Sequence, residues 1–198
     1  MNNFEKKLPR GYVEVKKINA LDTKTGIILN AVALVIMAAV VLLGFIPYFT
    51  GALSFDFDSD GVILTAVVTA LGIFVYIILH ELVHGVAYKL LTKQKLTFGF
   101  SWSCAFCGVP DIYVSRRVAL IALVAPLITF SLLLGGLWVL FFFVDTCLYA
   151  AMVIIFAMHL GGCAGDMYVT ILLLTSLRDR SLLMRDTGPE QSFYLPKS

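Results

Sequence analysis

The sequence predicts an all-α membrane protein: a bundle of four transmembrane helices with both termini in the cytoplasm. The first observation behind this prediction is composition, since 60% of the 198 residues are hydrophobic, 14% are charged and the mean hydropathy is +0.91. A soluble domain has about a quarter charged residues and could not bury this much apolar surface in one core. The same composition excludes a disordered chain, and four cysteines are too few for a disulfide-stapled secreted domain.

The second observation is the presence of four apolar segments, each longer than the roughly 20 helical residues that cross a bilayer. About 26 mostly polar residues precede the first segment, which favours a retained helix over a cleavable signal peptide. We therefore expect one membrane-embedded domain over residues 1–198, with polar flanks at 1–25 and 177–198. The four segments are residues 27–49, 61–91, 118–144 and 148–174.

The third observation is the placement of the basic residues, because cytoplasmic loops of membrane proteins carry an excess of lysine and arginine. All 15 lysine and arginine residues fall in the two flanks or in and beside the connection between the second and third segments. The connections 50–60 and 145–147 contain aspartates but no basic residue. This pattern predicts a multi-pass protein of the cell membrane, embedded in the lipid bilayer, and no basic–aromatic array indicates a nucleic-acid partner.

The connection between the second and third segments is predicted to contain β-structure. Residues 96–102 alternate aromatic with small or polar residues, residues 111–114 are β-prone, and Gly108-Val109-Pro110 separates the two stretches. We expect a small β-hairpin or a re-entrant strand pair at the cytoplasmic face. An extended substrate could pair with its first strand by β-augmentation, and the strand residues concerned are Leu96, Phe98, Phe100 and Trp102.

The second segment contains an H-E-x-x-H motif, His80-Glu81-Leu82-Val83-His84. Helical residues four apart project within about 40° of each other, so both imidazoles can bind one zinc ion at about 2.0–2.1 Å. Glu81 lies about 100° round the helix from His80, where its carboxylate can act as catalytic base on a water molecule. Two of the three histidines in the chain form this motif, in a segment where each ionisable side chain is costly, so a chance match is disfavoured.

A catalytic zinc site usually has three protein ligands, and two residues of the fourth segment are candidates for the third. At 1.5 Å per residue, the histidine pair and Asp166 lie about 13 Å and 12 Å from the cytoplasmic ends of their segments, whereas His159 is about 22 Å deep. Asp166 is therefore the preferred ligand. His159 is either a packing residue or one that orients a ligand, and it is the alternative ligand if Asp166 is not one.

These motifs resemble a known family. His80-Glu81-Leu82-Val83-His84-Gly85, Arg116-Arg117, Ala125-Pro126 and Gly165-Asp166 look like the bacterial putative zincin peptidase family of small four-span proteins, which is similar to the site-2-protease-like intramembrane metalloproteases. The resemblance covers roughly residues 20–195 and implies one zinc ion on His80, His84 and Asp166, with Glu81 as base. One departure is that Met167 follows Asp166, whereas the site-2 proteases carry their aspartate in an Asn-Pro-x-x-Asp-Gly context.

The functional hypothesis is an intramembrane zinc endopeptidase that cuts membrane-anchored proteins or peptides near the cytoplasmic face. The rival is a metal-binding membrane protein without hydrolysis, an inactive relative acting in assembly or metal handling. A protein that only binds metal has no need of Glu81 between the histidines, so this carboxylate favours the enzyme. Haem is a poorer interpretation, because His80 and His84 share one helix. The pair Cys104 and Cys107 has zinc-knuckle spacing but lacks two further ligands, which favours free thiols.

Overall fold

A computed structural model describes residues 2–54, 58–100 and 105–197, and these residues form six helices and seven strands. The helices are α1 Thr23–Gly44, α2 Ile46–Phe49, α3 Ser59–Thr92, α4 Arg116–Val144, α5 Thr146–Gly162 and α6 Ala164–Thr175. The strands are β1 Phe4–Glu5, β2 Tyr12–Asn19, β3 Thr97–Phe100, β4 Ala105–Gly108, β5 Tyr113–Ser115, β6 Leu183–Asp186 and β7 Glu190–Pro196.

The prediction of an all-α four-helix bundle is wrong, because five strands form an antiparallel sheet in the order β1-β5-β6-β7-β2. Strands β2 and β7 pair from Tyr12 opposite Pro196 to Asn19 opposite Glu190, with a β-bulge between Glu14 and Lys16. The two flanks that resemble polar tails are therefore strands of one sheet. Their sequences hide this because β2 exposes most of its residues, so the half-buried alternation typical of a strand is absent.

The strand structure predicted between the second and third long helices is present, but the strands have different partners. Strand β3 pairs antiparallel with β4, with Phe98 opposite Cys107 and Phe100 opposite Ala105. The β-prone stretch that follows becomes β5, which lies between β1 and β6 in the larger sheet. Trp102 and Cys104 lie outside the described residues.

Three helical stretches are long and apolar enough to cross a membrane: Thr23–Phe49, Ser59–Thr92 and Arg116–Val144. The fourth predicted segment is a pair of helices, α5 and α6, bent by 41° at their break, and together they would make a further span. The number of spans, the cytoplasmic termini and the single domain over residues 1–198 stay predictions. Helices α1, α3 and α5 begin where an aspartate caps them, since the carboxylates of Asp22, Asp58 and Asp145 accept hydrogen bonds from backbone N–H groups three residues on.

The chain divides into two compact units, of which the first holds both sheets. This sheet unit comprises residues 1–29, 79–126 and 165–198. Its apolar core packs residues of the five-stranded sheet against the C-terminal part of α3, the start of α4 and α6. The core includes Tyr88, Ile112, Val114, Val118, Ala122, Val169, Leu173, Leu182, Met184 and Phe193.

The second unit, residues 30–78 and 127–164, is helical in its described part. Its helices approach closely at glycines: a Cβ on Gly44 would lie 2.5 Å from Val153 Cγ1, and one on Gly161 would lie 2.5 Å from Met37 Cγ. The hydroxyl of Tyr149 donates a hydrogen bond to the carbonyl of Gly44 at 2.5 Å. Close packing of small residues thus accounts for Gly161. We term this second unit the helical unit.

Candidate metal centre

The two motif histidines lie side by side on α3. The Nε2 atoms of His80 and His84 are 3.2 Å apart, and their rings meet edge to face with centroids at 4.9 Å. Both residues are 7% exposed. The helical spacing in the sequence therefore brings two imidazole nitrogens to one point, as expected.

Asp166 completes a triangle of donor atoms. Its Oδ2 atom lies 3.3 Å from the Nε2 of His80 and 3.3 Å from the Nε2 of His84. Three ligands of a tetrahedral zinc ion at about 2.0–2.1 Å stand about 3.3–3.4 Å from one another, so these separations fit zinc. The residue reaches this position because the break at Cys163 starts a new helix at Ala164 and places Asp166 in its first turn.

A second hydrogen bond orients one of the histidines. The Nδ1 of His84 lies 2.9 Å from the carbonyl oxygen of Ala122, which is fully buried on α4. A carbonyl only accepts, so Nδ1 carries a proton and donates it, and Nε2 is the ring nitrogen that faces His80 and Asp166. This arrangement is typical of metal-ligating histidines.

Glu81 lies beside the triangle. One of its carboxylate oxygens is within 4.8 Å of ring nitrogens of both His80 and His84. The carboxylate also interacts with the backbone N–H of Cys107 in β4. Burial first, and then the negative charges of Glu81 and Asp186, together raise the pKa of the Cys107 thiol to about 12. Glu81 is thus close enough to the two histidines to act at the same metal position, and it also interacts with the hairpin.

The hairpin formed by β3 and β4 packs on α3 directly after the motif. A Cβ on Gly85 would lie 2.7 Å from Phe98 Cζ and 3.2 Å from Leu96 Cδ1, so any larger residue would have to displace the ends of these side chains. Phe98 nevertheless remains 52% exposed, and Phe100 is 79% exposed. Of the residues predicted to pair with a substrate, Leu96 and Phe98 contact the motif helix, Phe100 projects freely, and Trp102 lies outside the described residues.

His159 belongs to the helical unit and is fully buried there. Its Nδ1 lies 3.1 Å from the hydroxyl of Tyr76, and its Nε2 lies 3.0 Å from the hydroxyl of Ser131. The ring also meets Phe130 and Tyr76 edge to face. These contacts favour the packing interpretation of His159, and its role as the alternative ligand stays a prediction.

Sequence reasoning missed one buried acid in the sheet unit. Asp186, at the end of β6, is 3% exposed, and its Oδ2 accepts a 2.6 Å hydrogen bond from the hydroxyl of Tyr88. Burial raises the pKa of this carboxyl to about 6, although the hydrogen bond from Tyr88 opposes the shift. The available signal was a Gly188-Pro189 turn between two apolar stretches, which is typical of a hairpin and would have moved Asp186 out of a solvated tail.

Arg116 links the start of α4 to the end of α6. Its Nε and Nη2 atoms donate to the carbonyl of Leu173 at 3.0 and 2.7 Å, and Nε also donates to that of Leu177 at 3.0 Å. Carbonyls at the C-terminal end of a helix lack intrahelical partners, and a guanidinium satisfies several at once. Arg116 therefore anchors the helix that carries Asp166.

Comparison with known proteins gives one match. A family model described as "Putative zincin peptidase" matches residues 73–179, more than half of the chain, and this range includes the H-E-x-x-H motif, Arg116 and Asp166. No curated protein matches the chain. No solved structure matches it either.

Proposed function

The chain belongs to the putative zincin peptidase family, and from this membership we propose that it is a membrane-embedded zinc endopeptidase. Its substrates would be membrane-anchored proteins or peptides, hydrolysed near the cytoplasmic face. Three apolar helical stretches that could each cross a bilayer support the location. Family membership suggests a metallopeptidase that uses zinc. We propose in addition that the site lies within the membrane, that the substrate is membrane-anchored, and that individual residues have the roles given below.

One observation carries the proposal: three metal-binding atoms converge with a carboxylate beside them. The Nε2 atoms of His80 and His84 and the Oδ2 of Asp166 are 3.2–3.3 Å apart. When both imidazoles present a lone pair at Nε2, all three atoms are acceptors, and a cation bound among them offsets their repulsion. These three residues would hold zinc, and Glu81 would remain free of the metal as the base.

The chain's own residues supply the remaining chemistry. Bound zinc contributes Lewis acidity, which polarises the scissile carbonyl and acidifies the attacking water. Glu81 takes the proton of that water on a carboxylate oxygen and delivers it to the leaving amine nitrogen when the peptide bond breaks. Ala122 holds the ring of His84 in the orientation that leaves Nε2 available.

The hairpin is the proposed docking site for the substrate backbone. A helical substrate shields its own peptide bonds and must become extended before cleavage. Strand β3 is an end strand of its two-stranded sheet, and it follows the motif helix that it packs on at Gly85. An extended substrate paired with β3 would lie beside the motif helix near Gly85, with the exposed side chains of Phe98 and Phe100 available to contact it.

The Glu81→Gln variant tests the proposal. Membranes from cells producing the wild type or Glu81→Gln would be compared by mass spectrometry of newly formed protein N-termini, with zinc measured on the purified proteins. The exposed carboxylate of Glu14 provides a matched control in Glu14→Gln. We expect about one zinc per chain in all three proteins, and a 10²- to 10⁴-fold loss of cleavage in Glu81→Gln alone, roughly the usual contribution of a general base.

The opposite result identifies the rival function. If zinc is bound but the same N-termini appear with Glu81→Gln as with the wild type, hydrolysis at this site is excluded. The protein would then be a metal-binding membrane protein that acts in assembly or metal handling. If purified wild type holds no zinc, the ligand assignment fails together with the peptidase.

A further inference from the structure

A buried carboxylate lies in the C-terminal hairpin, close to the motif helix but outside the proposed chemistry. The Oδ2 of Asp186 accepts from the hydroxyl of Tyr88, and its Oδ1 accepts from the backbone N–H of Gly188 at 2.9 Å. Tyr88 is 1% exposed and lies one helical turn after His84 on α3. The carboxylate therefore joins the turn after β6 to the motif helix.

Keeping this carboxylate buried lowers the stability of the protein above mildly acidic pH. The pKa of Asp186 is raised to about 6 because burial disfavours the charged form more than its hydrogen bonds favour it. An apolar pair in place of Tyr88 and Asp186 would avoid this cost. Stability alone therefore gives no reason for a carboxylate at this position.

The same turn packs tightly against strand β4. The backbone N–H of Val109 donates to the carbonyl of Asp186 at 2.9 Å. A Cβ on Gly108 would lie 2.6 Å from the nitrogen of Gly188, and one on Gly188 would clash with the ring of Phe106. The turn and β4 thus touch backbone to backbone, with no space for a side chain between them.

Strand β4 in turn contacts the proposed base. The backbone N–H of Cys107 interacts with the carboxylate of Glu81, and the adjacent β3 covers Gly85. A continuous path of contacts therefore runs from Tyr88 through Asp186 to β4 and back to α3 at Glu81. We propose that Asp186 is a positioning residue for Glu81: its hydrogen bond with Tyr88 fixes the β3–β4 hairpin against the motif helix.

This inference rests on the proposed function and makes a separate claim about it. Loss of the bond should let the hairpin move relative to α3, and misplacement of a base by about 1 Å costs up to roughly 100-fold in rate. The three zinc ligands lie on α3 and α6 and do not depend on this bond. The expected signature is a lower kcat with zinc binding and KM retained.

Tyr88→Phe is the variant that removes only the hydroxyl of this bond. Its matched control is Tyr194→Phe, which removes a tyrosine hydroxyl that donates to the carboxylate of Glu14 at 3.2 Å on the same sheet. Zinc content, thermal unfolding, kcat and KM on a cleaved peptide, and hydrogen exchange of residues 96–110 would be measured for both. We expect a roughly 10- to 100-fold lower kcat and faster hairpin exchange in Tyr88→Phe only, with KM within about twofold.

Two variants of Asp186 separate the effect of losing its hydrogen bond from the effect of changing its packing. Asn at position 186 keeps an oxygen that can accept from Tyr88, whereas Ala does not, so Asp186→Asn should recover most of the kcat that Asp186→Ala loses. Tyr88→Phe in the Asp186→Ala background should cause little further loss, because the bond is already absent.

Unchanged kcat in Tyr88→Phe overturns the positioning role, whether or not hairpin exchange changes. That result leaves the peptidase proposal intact if Glu81→Gln still abolishes cleavage. Hydrogen exchange does not depend on cleavage, so unchanged exchange of residues 96–110 in Tyr88→Phe overturns the inference even if the protein proves not to be a peptidase.

Discussion

The two units of the molecule use buried histidines in opposite ways. In the sheet unit, His80 and His84 direct nitrogens at each other and at the carboxylate of Asp166. In the helical unit, His159 meets two hydroxyls, those of Tyr76 and Ser131. A hydroxyl can donate or accept, so it can satisfy either ring nitrogen of an imidazole. Two imidazole nitrogens and one carboxylate oxygen instead converge on a single point, where they could hold a cation.

The units also differ in charge. All 15 lysine and arginine residues belong to the sheet unit, and the helical unit has none. The seven strands lie in the sheet unit as well. His80, His84 and Asp166 lie in this same unit, which combines the ends of apolar helices with a charged antiparallel sheet. The following predictions test that contrast.

Removing one histidine from each unit should have the largest effect. His84→Ala deletes a proposed ligand, so we expect loss of bound zinc and of all zinc-dependent cleavage. His159→Gln leaves side-chain atoms that can bond to Tyr76 or Ser131, and it should retain about one zinc per chain. The zinc content of both purified variants would be measured and compared with that of the wild type. Loss of zinc in His159→Gln would transfer the ligand role to His159.

The Cys107 thiol should show the effect of burial, reinforced by nearby negative charge, in the sheet unit. A pKa near 12 reduces the thiolate fraction at pH 8 about 10³-fold relative to an ordinary cysteine, while the stronger nucleophilicity of a basic thiolate restores roughly 10- to 30-fold. Iodoacetamide should therefore label Cys107 about 30- to 100-fold more slowly in the native protein than in the unfolded chain. Labelling would be followed by mass spectrometry in a Cys104→Ser background. Equal native and unfolded rates would contradict the buried site.

Two glycines of α3, one in each unit, provide a matched pair. A Cβ on Gly72 would lie 2.5 Å from Ile155 Cδ1, and a Cβ on Gly85 would lie 2.7 Å from Phe98 Cζ. Either Gly→Ala variant should lower stability by no more than about 1 kcal/mol, because the clashing side-chain ends can shift and alanine is about 1 kcal/mol better than glycine inside a helix. Only Gly85→Ala displaces the hairpin beside Glu81, so we expect a roughly tenfold lower kcat for it alone. Equal activity of the two variants would argue against a role of the hairpin in catalysis.

Two side chains that donate hydrogen bonds to backbone carbonyls, one in each unit, should show a smaller difference on substitution. Arg116→Lys loses the planar guanidinium that bonds the carbonyls of Leu173 and Leu177, and Tyr149→Phe loses the bond to Gly44. Each should lower stability by about 1–2 kcal/mol, measured by thermal unfolding in detergent. Because α6 carries Asp166, Arg116→Lys should also weaken zinc binding, whereas Tyr149→Phe should not.

Arg117 is exposed next to Arg116, and Arg117→Lys is the control for the change of side chain. It should match the wild type in unfolding temperature and in zinc affinity. If Arg116→Lys and Arg117→Lys behave alike, the contact with α6 contributes nothing to the site.

Long apolar stretches and one motif were predictable from the sequence because both are local. Hydropathy is a property of consecutive residues, and His80 and His84 share a helix face by their spacing alone. Depth along two segments was enough to favour Asp166 over His159. The triangle of Nε2 and Oδ2 atoms agrees with that preference, and the ligand roles stay predictions.

The five-stranded sheet could not be predicted in the same way, since its pairings join distant segments. Strand β2 meets β7 across almost the whole chain, with Tyr12 opposite Pro196, and β5 lies between strands from the two termini. Neither flank shows the alternation of a strand with one buried face. Ile18 and Phe193 are buried by residues from elsewhere in the chain, which the local sequence does not reveal.

The sequence by itself determined the apolar helices, the zinc-type motif and the family to which the chain belongs, since each depends on neighbouring residues. Only the tertiary structure decided that the flanks form a sheet, that Asp186 is a buried partner of Tyr88 rather than a solvated acid, and that the hairpin lies against Gly85 and Glu81. The physical reason is that burial of a charged or polar group depends on which remote backbone covers it. No local pattern of residues specifies that.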